Sequence, residues 1–359
     1  MRVLVVNPGG SSTKIAVFDE EKRIYGTTID HDGAELRQFR SVFGQLGYRR
    51  GLIENALRSA DIALESLDAV AGRGGLLREL PGGVYAVNDQ MVEDVRNAIR
   101  GEHASNLGCV LARDIAGAVG IPAFVVDPVS VDEFEDISRI TGIEDLQYCS
   151  WMHALNQKAV ARRVAGRLGG RYEDFNFIVA HLGSGVSIAP HLRGRMVDGS
   201  GGRTNGPFAT DRSGGLPAYG LIELCYSGRY SRQEMVDKVS SFGGMYDYLG
   251  TKDLREIEAR IDRGDEKARL VLEAFVYQVS KEIAGYGATL AGKVDRIVLT
   301  GGMAHSGRVV DGIVARVGYL APLEIVPGEM EMEALADGAL RVLKGLETAK
   351  DYGPGGEER

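Results

Sequence analysis

Two glycine-rich turns in this chain carry side chains that a simple hairpin does not need. The first, Asn7-Pro8-Gly9-Gly10-Ser11-Ser12-Thr13-Lys14, joins an apolar run at Val3 to Val6 to another at Ile15 to Phe18. Glycines let a hairpin turn at positive φ, but the amide, hydroxyls and lysine suit a phosphate or magnesium–phosphate group. A second apolar run, Phe177 to Ala180, leads into His181-Leu182-Gly183-Ser184-Gly185-Val186-Ser187-Ile188. Setting Asn7 against His181 puts Gly9 on Gly183 and Thr13 on Ser187. A third strand pattern ends on Thr300-Gly301-Gly302-Met303 and opens into an amphipathic helical pattern from Ser306 to Val317. Repeated strand–turn units predict a duplicated architecture. Two phosphate-binding hairpins would face each other across a cleft, with the Gly301-Gly302-Met303 turn beside a nucleoside.

One further loop has the composition of an anion site. In Asp211-Arg212-Ser213-Gly214-Gly215 the glycines permit close approach, and the guanidinium fork of Arg212 fits phosphate oxygens. The plainer alternative is a loop arginine paired with Asp211. His153 begins a helical pattern beside Trp151 and Met152, where an imidazole stays neutral more readily yet still donates one hydrogen bond. The His181 side chain could face a ligand or simply satisfy its turn.

The elements that must hold these residues read as α/β. Arg23 to Ile29 continue the first hairpin as a third strand, Leu67 to Ala71 form another, and Ala123 to Val126 end on Asp127. Helical patterns cover much of 34–60, 107–119 and His153 to Leu168, the last ending at Gly169-Gly170 as capped helices do. Asn88 is a plausible N-cap for a helix to about Ile99. A short strand is expected at Met196 to Asp198 and a long helix from Glu266 to Leu290. The last helical pattern, Glu331 to Leu346, is expected to return to the first domain, giving domains of 1–149 plus about 330–359, and 150–329, with a hinge near 150. The polar tail from Asp351 is expected to fray.

Composition narrows the partners. At 359 residues the chain suits two domains. Its net charge of −8 argues against non-specific nucleic-acid binding, so an anionic ligand must be met by a few placed cations. Three scattered cysteines fit neither a disulfide framework nor a zinc site and suit a reducing cytoplasm. No apolar run approaches membrane-spanning length.

In order and spacing, the turns at 7–14, 181–185 and 300–303, with Gly72-Arg73-Gly74-Gly75, Trp151-Met152-His153 and Asp211-Arg212-Ser213-Gly214, make the chain resemble the acetate and butyrate kinases of the actin-like ATPase superfamily. The likeness runs over nearly the whole chain. Pro8-Gly9-Gly10, Arg73-Gly74-Gly75-Leu76-Leu77 and Glu331-Met332-Glu333-Ala334-Leu335-Ala336 look more like the butyrate branch. The resemblance implies a two-domain actin-like fold and magnesium-dependent, reversible phosphate transfer between ATP and butyrate or a related short-chain acid. It also implies a homo-oligomer built from dimers.

By the same resemblance, Arg73 would hold the substrate carboxylate or the transferring group, with Arg212 and His153 serving the transition state. Asp127 would help place the magnesium and its waters, though an aspartate before proline also starts turns. Asn7 and Glu331 are the implied magnesium partners, with Glu333 a rival two residues on. Gly9, Gly10, Ser11, Ser12, Lys14, His181, Gly183, Ser184 and Gly185 would line the phosphates. Asp253, Arg255, Gly301, Gly302 and Met303 would lie on the adenosine side. Gly75 and Met152, smaller and softer than their acetate-branch counterparts, would leave room for a longer acyl tail. A nucleotide-driven binding module and a sugar kinase using Asp127 as base share the expected fold, but neither calls for paired arginines Arg73 and Arg212.

Overall fold

The structure, a computed structural model, describes residues 1–201 and 205–353. In chain order its strands are β1 (Arg2–Pro8), β2 (Ser12–Asp19), β3 (Lys22–Asp30), β4 (Ala69–Gly72), β5 (Val84–Ala86), β6 (Ala123–Val126), β7 (Asn176–Leu182), β8 (Val186–Leu192), β9 (Arg195–Met196), β10 (Ser200–Gly201), β11 (Arg296–Gly301), β12 (Leu323–Pro327) and β13 (Lys350–Asp351). They build two mixed sheets in two compact units. Unit 1 is Met1–Asp132 plus the residues from Met330 onward, and unit 2 is Glu133–Glu329.

The sheet of unit 1 has the order β13-β5-β6-β4-β1-β2-β3. β1 is central, antiparallel to β2 and parallel to β4. Val3 to Val6 are fully buried because both faces of the sheet are covered. On one face Leu4, Val6, Ile15 and Val17 share a core with Leu107, Leu111 and Ile115 of the helix Leu107–Val119. The helix Glu331–Leu343 packs on β1, β4 and β6. Its Gly338 is required there: a Cβ would lie 2.5 Å from both Val126 methyl carbons.

In unit 2 the sheet order is β10-β8-β7-β11-β12, with β9 added to β8. The helix Glu266–Thr289 supplies Leu272, Phe275, Val279 and Ile283 to its core, against Ile178, Ala180 and Leu299 of the sheet. Asn88 caps its helix by accepting from the Met91 amide (3.0 Å). Gly169 turns left-handed at φ 81°, and the Gly170 amide returns to the Ala165 carbonyl, a glycine stop as expected.

Several expectations need correction. The units divide at Asp132/Glu133, earlier than the boundary expected near 150, because Glu133 is held by Lys158 Nζ (2.8 Å) and the Met196 amide (2.8 Å). The strand at 196–198 is only Arg195–Met196, and the last helix stops at Leu343. The tail does not fray from Asp351: Lys350–Asp351 pair with β5, and Tyr352 is buried with its hydroxyl donating to Asp94 Oδ2 (2.7 Å). Residues 354–359 of that tail lie outside the described residues.

Candidate active site

In unit 1 the first turn is built on a buried arginine. Arg49, in the helix Leu46–Ser59, is 1 % exposed, and its guanidinium runs beneath the turn. Nη1 donates to the Gly9 carbonyl (2.9 Å), the Ser12 carbonyl (3.3 Å) and Thr13 Oγ1 (3.0 Å), and Nη2 to the Gly10 carbonyl (3.4 Å). Nε donates to Gln45 Oε1 (3.0 Å). None of these acceptors is a carboxylate. The turn closes with the Gly9 amide on the Ser12 carbonyl (2.7 Å), while Lys14 stays exposed. With its carbonyls drawn onto Arg49, the turn from Gly9 to Ser12 is fixed from below.

Arg73, Asn7 and Glu331 come together. Arg73 Nη1 lies 2.5 Å from Glu331 Oε1 and 3.4 Å from Asn7 Oδ1, and Asn7 Nδ2 donates to Glu331 Oε2 (2.8 Å). Glu333 is exposed and outside this triangle, so of the two rivals it is Glu331 that meets Asn7. One carboxylate and one amide oxygen are hard donors of the kind magnesium takes when phosphates and water supply the rest, so the pair fits that ion. Among the described residues no group of three or more His, Cys, Asp and Glu is placed to hold a metal.

The glycines around Arg73 are explained by packing. A Cβ on Gly72 would meet the Gly108 carbonyl carbon at 2.5 Å, and one on Gly75 would meet Asn106 Cα at 2.4 Å. The space beside Gly75 is therefore filled by Asn106 and does not widen an acyl pocket. Met152 is likewise buried, with its Cε against Gly199. Asp127 is fully buried at φ 36°, and its Oδ1 accepts from the Gly83 amide (2.7 Å). That bond ties the end of β6 to the entry of β5.

Unit 2 collects the expected nucleotide residues. A cavity of about 470 Å³ is lined by Gly183, Ser184, Asp253, Arg255, Gly302 and Met303, together with Lys252, Glu258 and His305. Gly301 explains the meeting: at φ 89° it is pressed so closely on the second turn that a Cβ would lie 2.7 Å from the Leu182 carbonyl carbon. Asp253 caps the helix Leu254–Asp262 and binds Arg255 Nη2 at 2.7 Å. Arg255 also holds the Asp253 carboxyl below its ordinary range.

Arg212 lies on the second turn, since a Cβ on Gly185 would be 2.9 Å from its Cζ. Asp211 pairs with Lys252 (3.5 Å) instead of with Arg212. The loop is pinned by backbone bonds: Gly243 amide to Asp211 carbonyl (3.0 Å), Met245 amide to Ala209 carbonyl (3.0 Å) and Ser213 amide to Val239 carbonyl (3.0 Å). Gly244 is left-handed (φ 59°), and a Cβ there would press on the Arg212 carbonyl.

The two histidines stack, with ring centroids 4.0 Å apart and planes 13° from parallel. His153 Nδ1 meets Ser187 Oγ (2.7 Å), and His181 Nδ1 meets Asn156 Nδ2 (2.9 Å). His181 Nε2 is 3.8 Å from Glu329 Oε1. The expected match of Thr13 to Ser187 slips by one. Strand pairing sets Asn7 opposite Lys14 but His181 opposite Ser187, because the second turn (183–185) is one residue tighter than the first (9–12). Arg49, Gln157 and Asn156 were not signalled by any motif, and Thr300, although it opens the third turn motif, was given no role of its own.

Residues 148–327, half of the chain, match the family model described as Acetokinase family. Among solved structures, acetate kinase from Porphyromonas gingivalis is 20% identical with a TM-score of 0.80, covering 95% of this chain and 99% of that one. A propionate kinase from Francisella tularensis subsp. tularensis SCHU S4 is 19% identical (TM-score 0.76, 94% and 98% covered). Acetate kinase from Entamoeba histolytica is 16% identical (TM-score 0.77, 95% and 99%). These likenesses show the fold, a pair of mixed-sheet α/β units of actin-like type. With half its length matched by the family model, the chain belongs to the acetokinase family.

Proposed function

We propose that this acetokinase-family phosphotransferase is a butyrate kinase, moving phosphate reversibly between ATP and the carboxylate of butyrate or a related short-chain acid. The observation that carries a nucleotide-dependent reaction is the cavity joining Gly183 and Ser184 to Asp253, Arg255, Gly302 and Met303, with Arg212 beside it on Gly185. A carboxylate is already an ionised nucleophile, so the chain must hold two anions together and stabilise the phosphoryl group in flight. A carboxylate oxygen forms the new bond to the γ-phosphorus while the bond to the β–γ bridging oxygen breaks, leaving ADP. The transfer is direct and in line, without a phosphoenzyme.

Arg212 takes the charge of the transferring group, His153 donates to one of its oxygens, and Arg73 holds the acid. The turns 9–12 and 183–185 offer amides to phosphate. Asn7 and Glu331 would hold magnesium, which when bound offsets phosphate charge. Asp127, by the resemblance, would help place the magnesium and its waters. The preference for butyrate is supported by the resemblance at Pro8-Gly9-Gly10, Arg73 to Leu77 and Glu331 to Ala336. The packing at Gly75 and Met152 favours the other reading, an acetate or propionate kinase.

An acid panel with ATP and magnesium, trapping acyl phosphate as the hydroxamate, tests both. Highest kcat/KM on four- or five-carbon acids is expected. Preference for acetate or propionate replaces the butyrate reading, and no hydroxamate with any acid removes both.

The oligomer is proposed to grow from dimers. The helix Ala218–Tyr226 buries no residue, and Leu216, Tyr219, Ile222 and Tyr226 stand exposed, an apolar face suited to a second copy. A reducing cytoplasm is the proposed compartment; the three cysteines are free thiols, and no helix among the described residues is long and apolar enough to cross a membrane.

A further inference from the structure

We infer that His153 and His181 act as a locked pair of neutral Nε2–H donors, each set in that tautomer by its own buried hydrogen-bond chain. The assignment follows from counting donors. Among the described residues the Ser187 hydroxyl has three partners: the Gln157 amide nitrogen (2.8 Å), the His153 backbone amide (3.4 Å) and His153 Nδ1 (2.7 Å). The first two can only donate, so the hydroxyl proton goes to His153 Nδ1 and the ring proton sits on Nε2.

The orientation of Gln157 is fixed at both ends. Its Nε2 also donates to the Ser187 carbonyl (3.2 Å), which a flipped amide would repel. Its Oε1 accepts from His191 Nε2 (3.0 Å), while His191 Nδ1 accepts from the Tyr172 hydroxyl (2.5 Å). His191 is fully buried, and burial, then Lys158 and Arg162, hold it neutral by lowering its pKa well below the ordinary value.

The second chain repeats the logic with different atoms. The Thr300 hydroxyl donates to the Gly328 carbonyl (3.1 Å), so toward Asn156 it can only accept. Asn156 Nδ2 therefore donates to it (3.2 Å) and to His181 Nδ1 (2.9 Å), which leaves the His181 proton on Nε2. Both chains end on backbone carbonyls, Ser187 and Gly328, whose acceptor character cannot change. Stacked at 4.0 Å, the two rings would repel if both were imidazolium, and Glu329 Oε1, 3.8 Å from His181 Nε2, is an acceptor on that side of the pair. Ser187, Gln157, Asn156 and Thr300 are thus positioning residues. The ligand the donors would take is an anionic oxygen, here a phosphoryl oxygen, a role that rests on the reaction proposed above.

The test is imidazole 15N–1H NMR on full-length protein with labelled histidine at neutral pH, the rings assigned with His153→Gln and His181→Gln. Both are expected as neutral Nε2–H rings, and either one found as Nδ1–H or as imidazolium overturns the inference. Two near-isosteric variants should reverse them separately. Asn156→Asp turns the donor on His181 Nδ1 into an acceptor, and Gln157→Glu does the same through Ser187 for His153. Each should move one ring to Nδ1–H and lower kcat about 10²-fold, as for a lost oxyanion donor, with KM for ATP little changed. Thr300→Ser should keep the wild-type tautomers. Reversal of both rings by one variant, or of neither by both folded variants, contradicts independent chains. Tautomers as stated with no acid phosphorylated would sink the reaction and leave the pair standing, because the spectrum does not depend on turnover.

Discussion

Replacing Arg49 with methionine isolates what a buried cation does for the first turn. The change keeps most of the apolar volume and removes three short bonds, to the Gly9 carbonyl (2.9 Å), Thr13 Oγ1 (3.0 Å) and Gln45 Oε1 (3.0 Å). Hydrogen bonds to a charged donor contribute about 1.5–3 kcal/mol each. Against that stands relief of the desolvation of a charge with no carboxylate among its acceptors, on the order of several kcal/mol. Gly9, Gly10 and Ser12 carbonyls left without the guanidinium tip the balance toward loss, about 3 kcal/mol net. Arg49→Lys should recover little of it, because a point ammonium cannot span acceptors on both sides of the turn. Urea unfolding followed by a probe in unit 1 measures the effect, and the midpoint should fall by about 1 M or more. If Arg49→Met unfolds within about 0.5 kcal/mol of wild type, charge relief cancels the bonds and the reasoning fails.

Arg212→Lys should lower kcat about 10³-fold while KM for either substrate changes far less, since a guanidinium serving in-flight phosphate acts mainly in the transition state; equal losses in KM would assign it to ground-state binding. Glu331→Gln should raise the magnesium concentration for half-maximal rate about 10-fold or more, and Glu333→Gln should not. A reversed order in magnesium titrations would transfer the role. His191 is held neutral in the folded state, so the unfolded chain takes up the extra proton. Stability from this group is full above about pH 6.5 and is lost as pH falls, by up to about 1.4 kcal/mol per unit. Denaturant melts of unit 2 at pH 7.5 and 5.5 should show that slope, and His191→Gln should reduce it.

What sequence could show was local. Apolar runs broken by glycines announced β1–β2, β7–β8 and β11, because a turn at positive φ and a buried strand each leave a mark within a few residues. The helix from Glu331 left its own apolar period in the sequence, whereas its return to unit 1 was expected only from the duplicated architecture. Arg49 was not: Arg49-Arg50 in a helix looks like a solvated face, and only the fold turns one of the two under the turn while Arg50 pairs outward with Glu54 (2.7 Å). Gly75 misled because a missing side chain reads as room, whereas here Asn106 occupies it. The chain from Tyr172 through His191 and Gln157 to Ser187 joins residues distant in sequence, with no spacing to betray it. β5 and β13 were too short to register against their polar surroundings.

Unit 1 takes its central strand from the first residues of the chain and its covering helix and edge strand from the last. A ribosome would therefore release unit 2 able to fold while the strands begun first still wait, one apolar face bare, for Glu331–Leu343 to emerge. Strands made ahead of unit 2 would be covered only after it, and any chaperone that attends the synthesis would have that uncovered sheet to shield.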